Sequence, residues 1–192
     1  MPRRTTPLVP DCYYHIYNRG HNGIDIFYEP ENYAFFLRQF RKYVCGEHAD
    51  VIAYALMPNH YHFLLEVRSY EFSHSMQNFS ISYVKAINKR YKRSGTLYQG
   101  SFQAKIVAQN RYLLHLSRYI HLNPVSAGLV DQPEDWEYSS YREYIGLREG
   151  TIPQPSIVLN QFQVPGKNGS KHYRSFVEDL QDENIITNLL FD

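Results

Sequence analysis

The stretch DVIAYALMPNHYHFLLEV, residues 50–67, contains two apolar segments separated by Pro58 and Asn59. Each segment is rich in β-branched and aromatic residues and has the length of a single strand. The Pro-Asn pair interrupts the pattern, because proline cannot donate to a sheet and asparagine favours turns. We therefore predict two antiparallel strands, 50–57 and 60–67, joined by a short connection.

The segments on either side of this pair alternate between strand and helix patterns. Strands are predicted at 13–20 and 95–107, and helices at 31–44, 72–92 and 111–123. Pro124 is predicted to end the last helix, since the residue before a proline avoids helical geometry. The order β-α-β-β-α-β-α indicates an α+β protein whose first six elements match the ferredoxin-like split βαβ fold. In that fold an antiparallel sheet has helices on one face, and here a further helix follows.

Charge is unevenly distributed, although the 192-residue chain has a net charge of only +1. No acidic residue lies between Glu71 and Asp131, while basic and aromatic residues are interleaved there. Basic side chains attract a polyanion and aromatic rings stack on unpaired bases, so the window predicts a nucleic-acid surface. The alternative is a solvated helix face. The predicted DNA-binding residues are Lys85, Lys89, Lys92, Arg93, Tyr98, Phe102, Lys105, Arg111 and Arg118.

Two histidines interrupt the apolar pattern of the predicted strand 60–67. Side chains two apart on a strand share a face, so His60 and His62 lie about 6.5 to 7 Å apart along it. This spacing lets both imidazoles bind one divalent cation. The alternative is a pair of hydrogen-bonded structural histidines, because burying imidazoles without partners is costly. Glu66 shares their face, where it can orient a histidine or form a surface ion pair.

The third predicted helix carries a second set of candidate residues. Tyr119 and Asn123 are four residues apart and lie on one face, with His115 one turn before Tyr119. A phenol and an amide ligand can thus be presented side by side. His121 lies about 200° around the helix from Tyr119 and is a weaker candidate than Asn123. The alternative is an amphipathic core helix whose tyrosines only pack.

Two of these stretches resemble motifs of a known family. MPNHYHFLLE, residues 57–66, resembles the HUH motif, and RYIHLNPVSAGLV, residues 118–130, resembles the tyrosine signature of single-tyrosine transposases. The chain is most similar to REP-associated tyrosine transposases and their insertion-sequence relatives, and YYHIYNRG and DWEYSSYREY extend the resemblance over about residues 12–145. It implies an HUH transposase domain at 1–145 and a partly irregular C-terminal extension at 146–192.

The resemblance also implies a chemistry. His60 and His62 match the motif histidines that bind Mg²⁺ or Mn²⁺, Asn123 matches a third ligand, and Tyr119 matches the nucleophile. Such enzymes cut and rejoin single-stranded DNA near palindromic hairpins through a 5′-phosphotyrosine. The implied partner is single-stranded or hairpin DNA, and a homodimer is possible because relatives include dimers as well as monomers. No general base is unique in the sequence, and His115 is one candidate.

The sequence also predicts a location, and it leaves three rival functions open. No apolar run reaches the about 20 residues that a membrane span needs, and no signal peptide is recognisable, so we expect a cytoplasmic protein without a membrane partner. The rivals are a catalytically idle hairpin-binding regulator, a metal-dependent phosphoesterase in which Tyr119 only packs, and an interaction module that binds no metal.

Overall fold

A computed structural model of the chain describes residues 7–162 and 169–179. The predicted order of strands and helices is confirmed, and three short helices follow the seventh element. The strands are β1 Cys12–Arg19, β2 Ala49–Met57, β3 His60–Val67 and β4 Gln103–Ile106. The α-helices are α1 Pro30–Tyr43, α2 Phe72–Arg90, α3 Asn110–Ser126, α4 Tyr141–Tyr144, α5 Ser156–Leu159 and α6 Gly169–Glu178.

The four strands form one antiparallel sheet in the order β2-β3-β1-β4. The predicted ferredoxin-like α+β class is therefore confirmed, with β1 and β3 at the centre of the sheet. The segment after β1 hydrogen-bonds to the turn between β2 and β3. The backbone N–H of Gly20 donates to Asn59 O at 2.7 Å, and that of Ile26 donates to Pro58 O at 2.7 Å. These bonds fix the position at which β3 begins, and His60 is its first residue.

Alternation along β3 divides the protein into two layers. Tyr61, Phe63 and Leu65 are fully buried against α1 and α2, where the rings of Phe40 and Phe63 stack at 4.2 Å. The other face carries α3, whose buried leucines and isoleucine pack on Leu64 and on β2. The sheet thus has α1 and α2 on one face and the tyrosine-bearing helix on the other. Aromatic side chains are frequent in the first layer, where they pack both stacked and edge to face.

Two predicted boundaries are wrong. The fourth strand is confined to Gln103–Ile106, whereas a strand was predicted from residue 95. Gly95 has a φ of +86°, which lies outside strand geometry. α3 continues past Pro124 to Ser126, and the N–H of Ala127 donates to Asn123 O at 3.0 Å. A proline this close to the helix end removes only the bond to the carbonyl of Ile120, so the last turn survives.

The chain after α3 returns to the sheet. Trp136 Nε1 donates to Leu56 O at 2.9 Å and the N–H of Ser140 donates to Tyr54 O at 3.0 Å, so this segment covers the outer side of β2. α6 packs on α3 through the buried residues Tyr173 and Val177. Residues 1–6, 163–168 and 180–192 lie outside the described part, and the predicted domain boundary at 145 stays a prediction. Among the described helices, none combines the length and apolar character that crossing a membrane requires.

Candidate active site

The start of β3 and the second half of α3 meet on one face of the sheet. The ring centroids of His60 and His62 lie 5.0 Å apart, and those of His62 and Tyr119 lie 5.6 Å apart. His60 Nε2 lies 3.2 Å from Asn123 Oδ1. The four residues singled out in the sequence are thus neighbours in space, although β3 and α3 are separated by the whole of α2 and β4.

The apolar stripe of α3 explains why Tyr119 and Asn123 face the histidines. Leu113, Leu116 and Ile120 are buried against the sheet, which fixes the rotation of the helix about its axis. Tyr119 and Asn123 lie one turn apart beside that stripe and reach the end of β3. Tyr119 is half-buried and Asn123 is 8% exposed, so the site is largely shielded from solvent.

The histidines of the site are held in their neutral form. Burial lowers the pKa of His60, and burial together with the neighbouring histidines places the pKa of His62 well below its ordinary value. Behind them, burial and then Lys105 lower the pKa of His15 to about 3. A neutral imidazole is the form that ligates metal ions, because the ligating nitrogen must carry a free lone pair.

The hydrogen bonds determine which nitrogen of each ring is free. Asn59 Nδ2 donates to Gly23 O at 3.4 Å, so its Oδ1 faces the ring and accepts from His60 Nδ1 at 2.6 Å. A neutral His60 then has no proton on Nε2, and this lone pair faces Asn123 Oδ1, which is also an acceptor. The nitrogen Nδ1 of His62 lies 2.9 Å from His15 Nε2, so only Nε2 of that ring is left for a cation.

This donor set fits a divalent cation. In the tautomer that donates from Nδ1 to Asn59, His60 Nε2 and Asn123 Oδ1 are both acceptors, and a cation between them would satisfy both. Two imidazoles and one amide oxygen would leave further positions to water or to a phosphate oxygen, as Mg²⁺ and Mn²⁺ require. Within residues 7–162 and 169–179 no group of three or more histidine, cysteine, aspartate or glutamate side chains could hold a metal. The amide of Asn123 is therefore needed to complete the set.

The surroundings of Tyr119 favour the protonated phenol. Burial raises its pKa, a hydrogen bond with Asn123 lowers it, and the neighbouring Tyr17 raises it further. The net direction is upward, so the hydroxyl keeps its proton at neutral pH. Its oxygen can act as a nucleophile only if the proton is lost during the attack.

His15 is a site residue that the sequence prediction missed. It is 4% exposed, its ring centroid lies 5.1 Å from that of His62, and it lies 6.4 Å from that of Tyr119. The alternating pattern of YYHIYNRG already places His15 and Tyr17 on one face of a strand. The sequence cannot give the register of β1 against β3, and only that register brings His15 beside His62.

The predicted DNA-binding residues fall into separate groups. Lys105 lies opposite His15 in the β1–β4 pairing, and Arg111 is exposed in the first turn of α3, so both lie in the layer of the site. The remaining basic residues belong to α2 and the turn after it, in the layer on the other face of the sheet. They are Lys85, Lys89, Lys92 and Arg93. Their contact with DNA stays a prediction.

Three of the predicted contacts are wrong as exposed surfaces. Tyr98 and Phe102 are each 7% exposed. The ring centroid of Tyr98 lies 6.1 Å from that of Tyr61, and the ring centroid of Phe102 lies 5.9 Å from that of Phe72. Arg118 is 2% exposed. Its Nε donates to Val177 O at 3.1 Å and its Nη2 donates to Asp179 O, so the guanidinium binds the end of α6.

The remaining candidates also have structural partners. Glu66 pairs with Arg68 at 3.0 Å, which is the surface ion pair foreseen as its second use. His121 lies 2.7 Å from Tyr173 Oη and 2.8 Å from Ser140 Oγ, and it faces away from Tyr119, in agreement with its lower rank. The ring of His115 lies against Phe176 of α6 at 5.5 Å.

Comparison with known proteins agrees with this fold. A protein of Haemophilus influenzae that carries the name of a REP-associated tyrosine transposase is 26% identical over 125 residues, which are 55% of this chain and 69% of that protein. A solved structure of a REP-associated tyrosine transposase bound to a REP hairpin superposes with a TM-score of 0.63 at 14% identity, covering 80% of this chain and 98% of the solved chain. A family model described as IS200-like transposase matches residues 8–123, more than half of the 192 residues. The chain therefore belongs to the IS200-like transposase family, as its two motifs predicted.

Proposed function

We propose that this protein cuts and rejoins single-stranded DNA near palindromic hairpins, through a 5′-phosphotyrosine formed on Tyr119 and with a divalent cation as cofactor. One observation carries the proposal. His60, His62, Tyr119 and Asn123 come from distant parts of the chain and meet at the start of β3. Membership of a transposase family supports DNA cleavage as the reaction.

In the proposed reaction Tyr119 Oη attacks a backbone phosphorus atom. A phosphorus–oxygen bond to the tyrosine forms, the bond to the 3′ oxygen breaks, and a strand with a 3′-hydroxyl leaves. The phenolic proton is lost as the bond forms, and the leaving 3′ oxygen gains a proton, so the step is balanced. One phosphodiester replaces another without an external energy source, and the reverse attack by a 3′-hydroxyl rejoins DNA.

His60, His62 and Asn123 would hold the cofactor, Mg²⁺ or Mn²⁺. When bound, the ion supplies Lewis-acid polarisation of a non-bridging phosphate oxygen and stabilises the charge that develops there. Imidazole is a softer ligand than Mg²⁺ usually takes, so we expect Mn²⁺ to be accepted readily. Asn123 would have a second task, because its amide also hydrogen-bonds the Tyr119 hydroxyl and fixes the nucleophile relative to the ligands.

DNA would reach the site along the layer that contains α3 and β4. Lys105 and Arg111 are the predicted cationic contacts on that layer, and a lysine there would bind a phosphate next to the reacting one. The solved relative is bound to a REP hairpin, which supports hairpin DNA as the class of substrate. A cytoplasmic location and a homodimer remain predictions.

Covalent capture tests the proposal. End-labelled single strands containing the hairpins that flank the gene are incubated with the protein and Mn²⁺, and the products are separated in SDS. The wild type should give a DNA–protein adduct, and Tyr119→Phe should give none. Tyr112→Phe is the matched control, since it removes a hydroxyl from the same helix outside the site, and it should retain the adduct.

Other outcomes identify the rivals. Release of cleaved DNA by Tyr119→Phe at the wild-type rate would favour the phosphoesterase. Hairpin binding by the wild type without an adduct under any divalent cation would favour the idle regulator. Either result contradicts the proposed transesterification.

A further inference from the structure

A second buried imidazole lies directly behind His62. His15 Nε2 is 2.9 Å from His62 Nδ1, and the two rings meet edge to edge with an interplanar angle of 21°. His15 is 4% exposed and His62 is 8% exposed, so their hydrogen bond is shielded from bulk water. The hydrogen bond crosses from β1 to β3, where Tyr17 pairs with His62 and His15 with Leu64.

We propose that His15 is a positioning residue that holds His62 in the tautomer whose Nε2 is free to bind a divalent cation. The inference rests on the proposed function, because it assigns His62 as a ligand. A neutral imidazole carries one proton, and the bond between the rings needs one donor and one acceptor. If His62 Nδ1 donates to His15 Nε2, His62 Nε2 keeps its lone pair and can ligate.

The opposite arrangement would disable the site. If His15 Nε2 donated instead, His62 would carry its proton on Nε2, and that nitrogen could not bind a metal. The rotation of the His62 ring is restrained by the same contact, since the hydrogen bond is short only while Nδ1 of His62 points at Nε2 of His15. His15 thus sets both the protonated nitrogen and the direction of the free one.

Asn59 plays the corresponding part for His60. Its Oδ1 accepts from His60 Nδ1 at 2.6 Å, and its own Nδ2 donates to Gly23 O, so the amide cannot reverse without losing that bond. Both candidate ligands are therefore backed through Nδ1 and open at Nε2. A cation between the two rings would then meet the unprotonated nitrogen of each.

The choice of an imidazole behind His62 suits an anionic substrate. A metal-bound histidine is often backed by a carboxylate, which would add a negative charge beside the reacting phosphate. His15 accepts the bond without that charge, and Lys105 stands opposite it in the β1–β4 pairing. Glu66, which lies on the same face of β3, is paired with Arg68 at 3.0 Å.

The tautomer can be read directly in the metal-free wild type. Long-range ¹⁵N–¹H correlation spectra of the imidazole side chains distinguish a ring protonated on Nδ1 from one protonated on Nε2. His62 should appear as the Nδ1-protonated tautomer, and His15 should show an unprotonated Nε2. A His62 ring protonated on Nε2 overturns the inference, whatever the protein does to DNA.

Substitution tests the consequence for metal binding, with Co²⁺ alone as the probe and its visible absorption as the readout. His15→Leu removes the acceptor and should weaken Co²⁺ binding by about 10- to 100-fold. His15→Gln places an amide oxygen near the position of Nε2, so it should stay within about threefold of the wild type. His48→Leu, at a half-buried histidine bonded to Ser69, is the matched control and should bind Co²⁺ as the wild type does.

These measurements separate the two hypotheses. Unchanged Co²⁺ binding by a folded His15→Leu, or equal losses in the leucine and glutamine variants, overturns the positioning role. If His15→Leu does not fold, the glutamine variant and the wild-type tautomer still decide. A protein that passes both tests but forms no tyrosine adduct keeps the positioning role and loses the proposed reaction.

Discussion

α3 carries two polar clusters of similar composition on opposite sides. The site cluster, defined as His60, His62, Tyr119 and Asn123, faces the end of β3. The closed cluster, defined as His121, Tyr173, Ser117 and Ser140, lies between α3, α6 and the segment before α4. Both contain a buried histidine and a tyrosine. Residue type therefore does not distinguish a site from a structural network.

The closed cluster satisfies its histidine with hydroxyl groups. His121 Nδ1 lies 2.7 Å from Tyr173 Oη and Nε2 lies 2.8 Å from Ser140 Oγ. Tyr173 Oη donates onward to Ser117 Oγ at 3.0 Å. Because Tyr173 donates its only hydroxyl proton to Ser117, its oxygen accepts from His121 Nδ1, and the Ser140 hydroxyl can donate to Nε2. A network completed in this way stabilises the packing of α6 on α3.

The site cluster is completed on one side only. Asn59 and His15 bind the Nδ1 atoms, and the Nε2 atom of His60 faces an amide oxygen that is also an acceptor. A cation between the two acceptors would satisfy both. Unmatched acceptors, rather than buried histidines as such, therefore distinguish the candidate site from the structural network.

The largest expected effect is the loss of chemistry when a site histidine is removed. His62→Ala should lower the rate of adduct formation by about 1,000-fold or more, because polarisation of the phosphate by a metal ion supplies several kcal/mol. Adduct yield against time at fixed Mn²⁺ is the measurement. Hairpin binding, followed by fluorescence anisotropy, should change only a few-fold. A variant that keeps the wild-type adduct rate would contradict the assignment of His62 as a ligand.

The next effect concerns Arg118, whose neighbour in sequence is Tyr119. Arg118→Met keeps the aliphatic stem but removes the guanidinium that binds the carbonyls of Val177 and Asp179. We expect a loss of about 1.5 to 3 kcal/mol in the free energy of unfolding, measured by urea denaturation. The salt dependence of DNA binding should not change, since the charge is buried. A lower salt slope with unchanged stability would restore Arg118 as a DNA contact.

Arg118 also shows a limit of prediction from a single sequence. Hydrophobic periodicity predicted the order of strands and helices, because apolar spacing reflects which face of each element is buried. It could not predict that α6 covers Arg118, since that contact joins residues 59 apart in the chain. Tyr98 and Phe102 were misplaced as well. An aromatic residue in a basic segment can stack on a nucleic-acid base or pack in a hydrophobic core, and the sequence does not distinguish the two.

The site was more predictable than its surroundings. The strand period placed His60 and His62 on one face, and the helix period placed Tyr119 and Asn123 on one face, because both periods are local geometry. That these two faces lie together was predicted from the family resemblance, because periodicity contains no information on the distance between elements. His15 was missed because strand register is set by tertiary packing, which a single sequence does not contain.

A smaller effect is expected for the closed cluster. Tyr173→Phe removes the hydroxyl that joins His121 to Ser117, and we expect a loss of about 1 to 2 kcal/mol in the free energy of unfolding. The adduct rate at a temperature well below unfolding should stay within a few-fold of the wild type. Tyr112→Phe, on the same helix, is the control for removing a hydroxyl. Loss of the adduct at unchanged stability would show that the two clusters are not independent.

The smallest effect distinguishes the two layers in DNA binding. Lys105 lies on the layer of the site, whereas the exposed Lys89 belongs to α2 on the other face of the sheet. For a short unstructured strand carrying the cleavage position, Lys105→Ala should lower the slope of log K against log salt by about 0.7, as expected for one lost phosphate contact on single-stranded DNA. Lys89→Ala should leave that slope unchanged, because a strand bound at the site does not reach α2. Equal changes in both variants would mean that single-stranded DNA wraps around the sheet edge, and the basic turn after α2 would then belong to the same binding surface as the site.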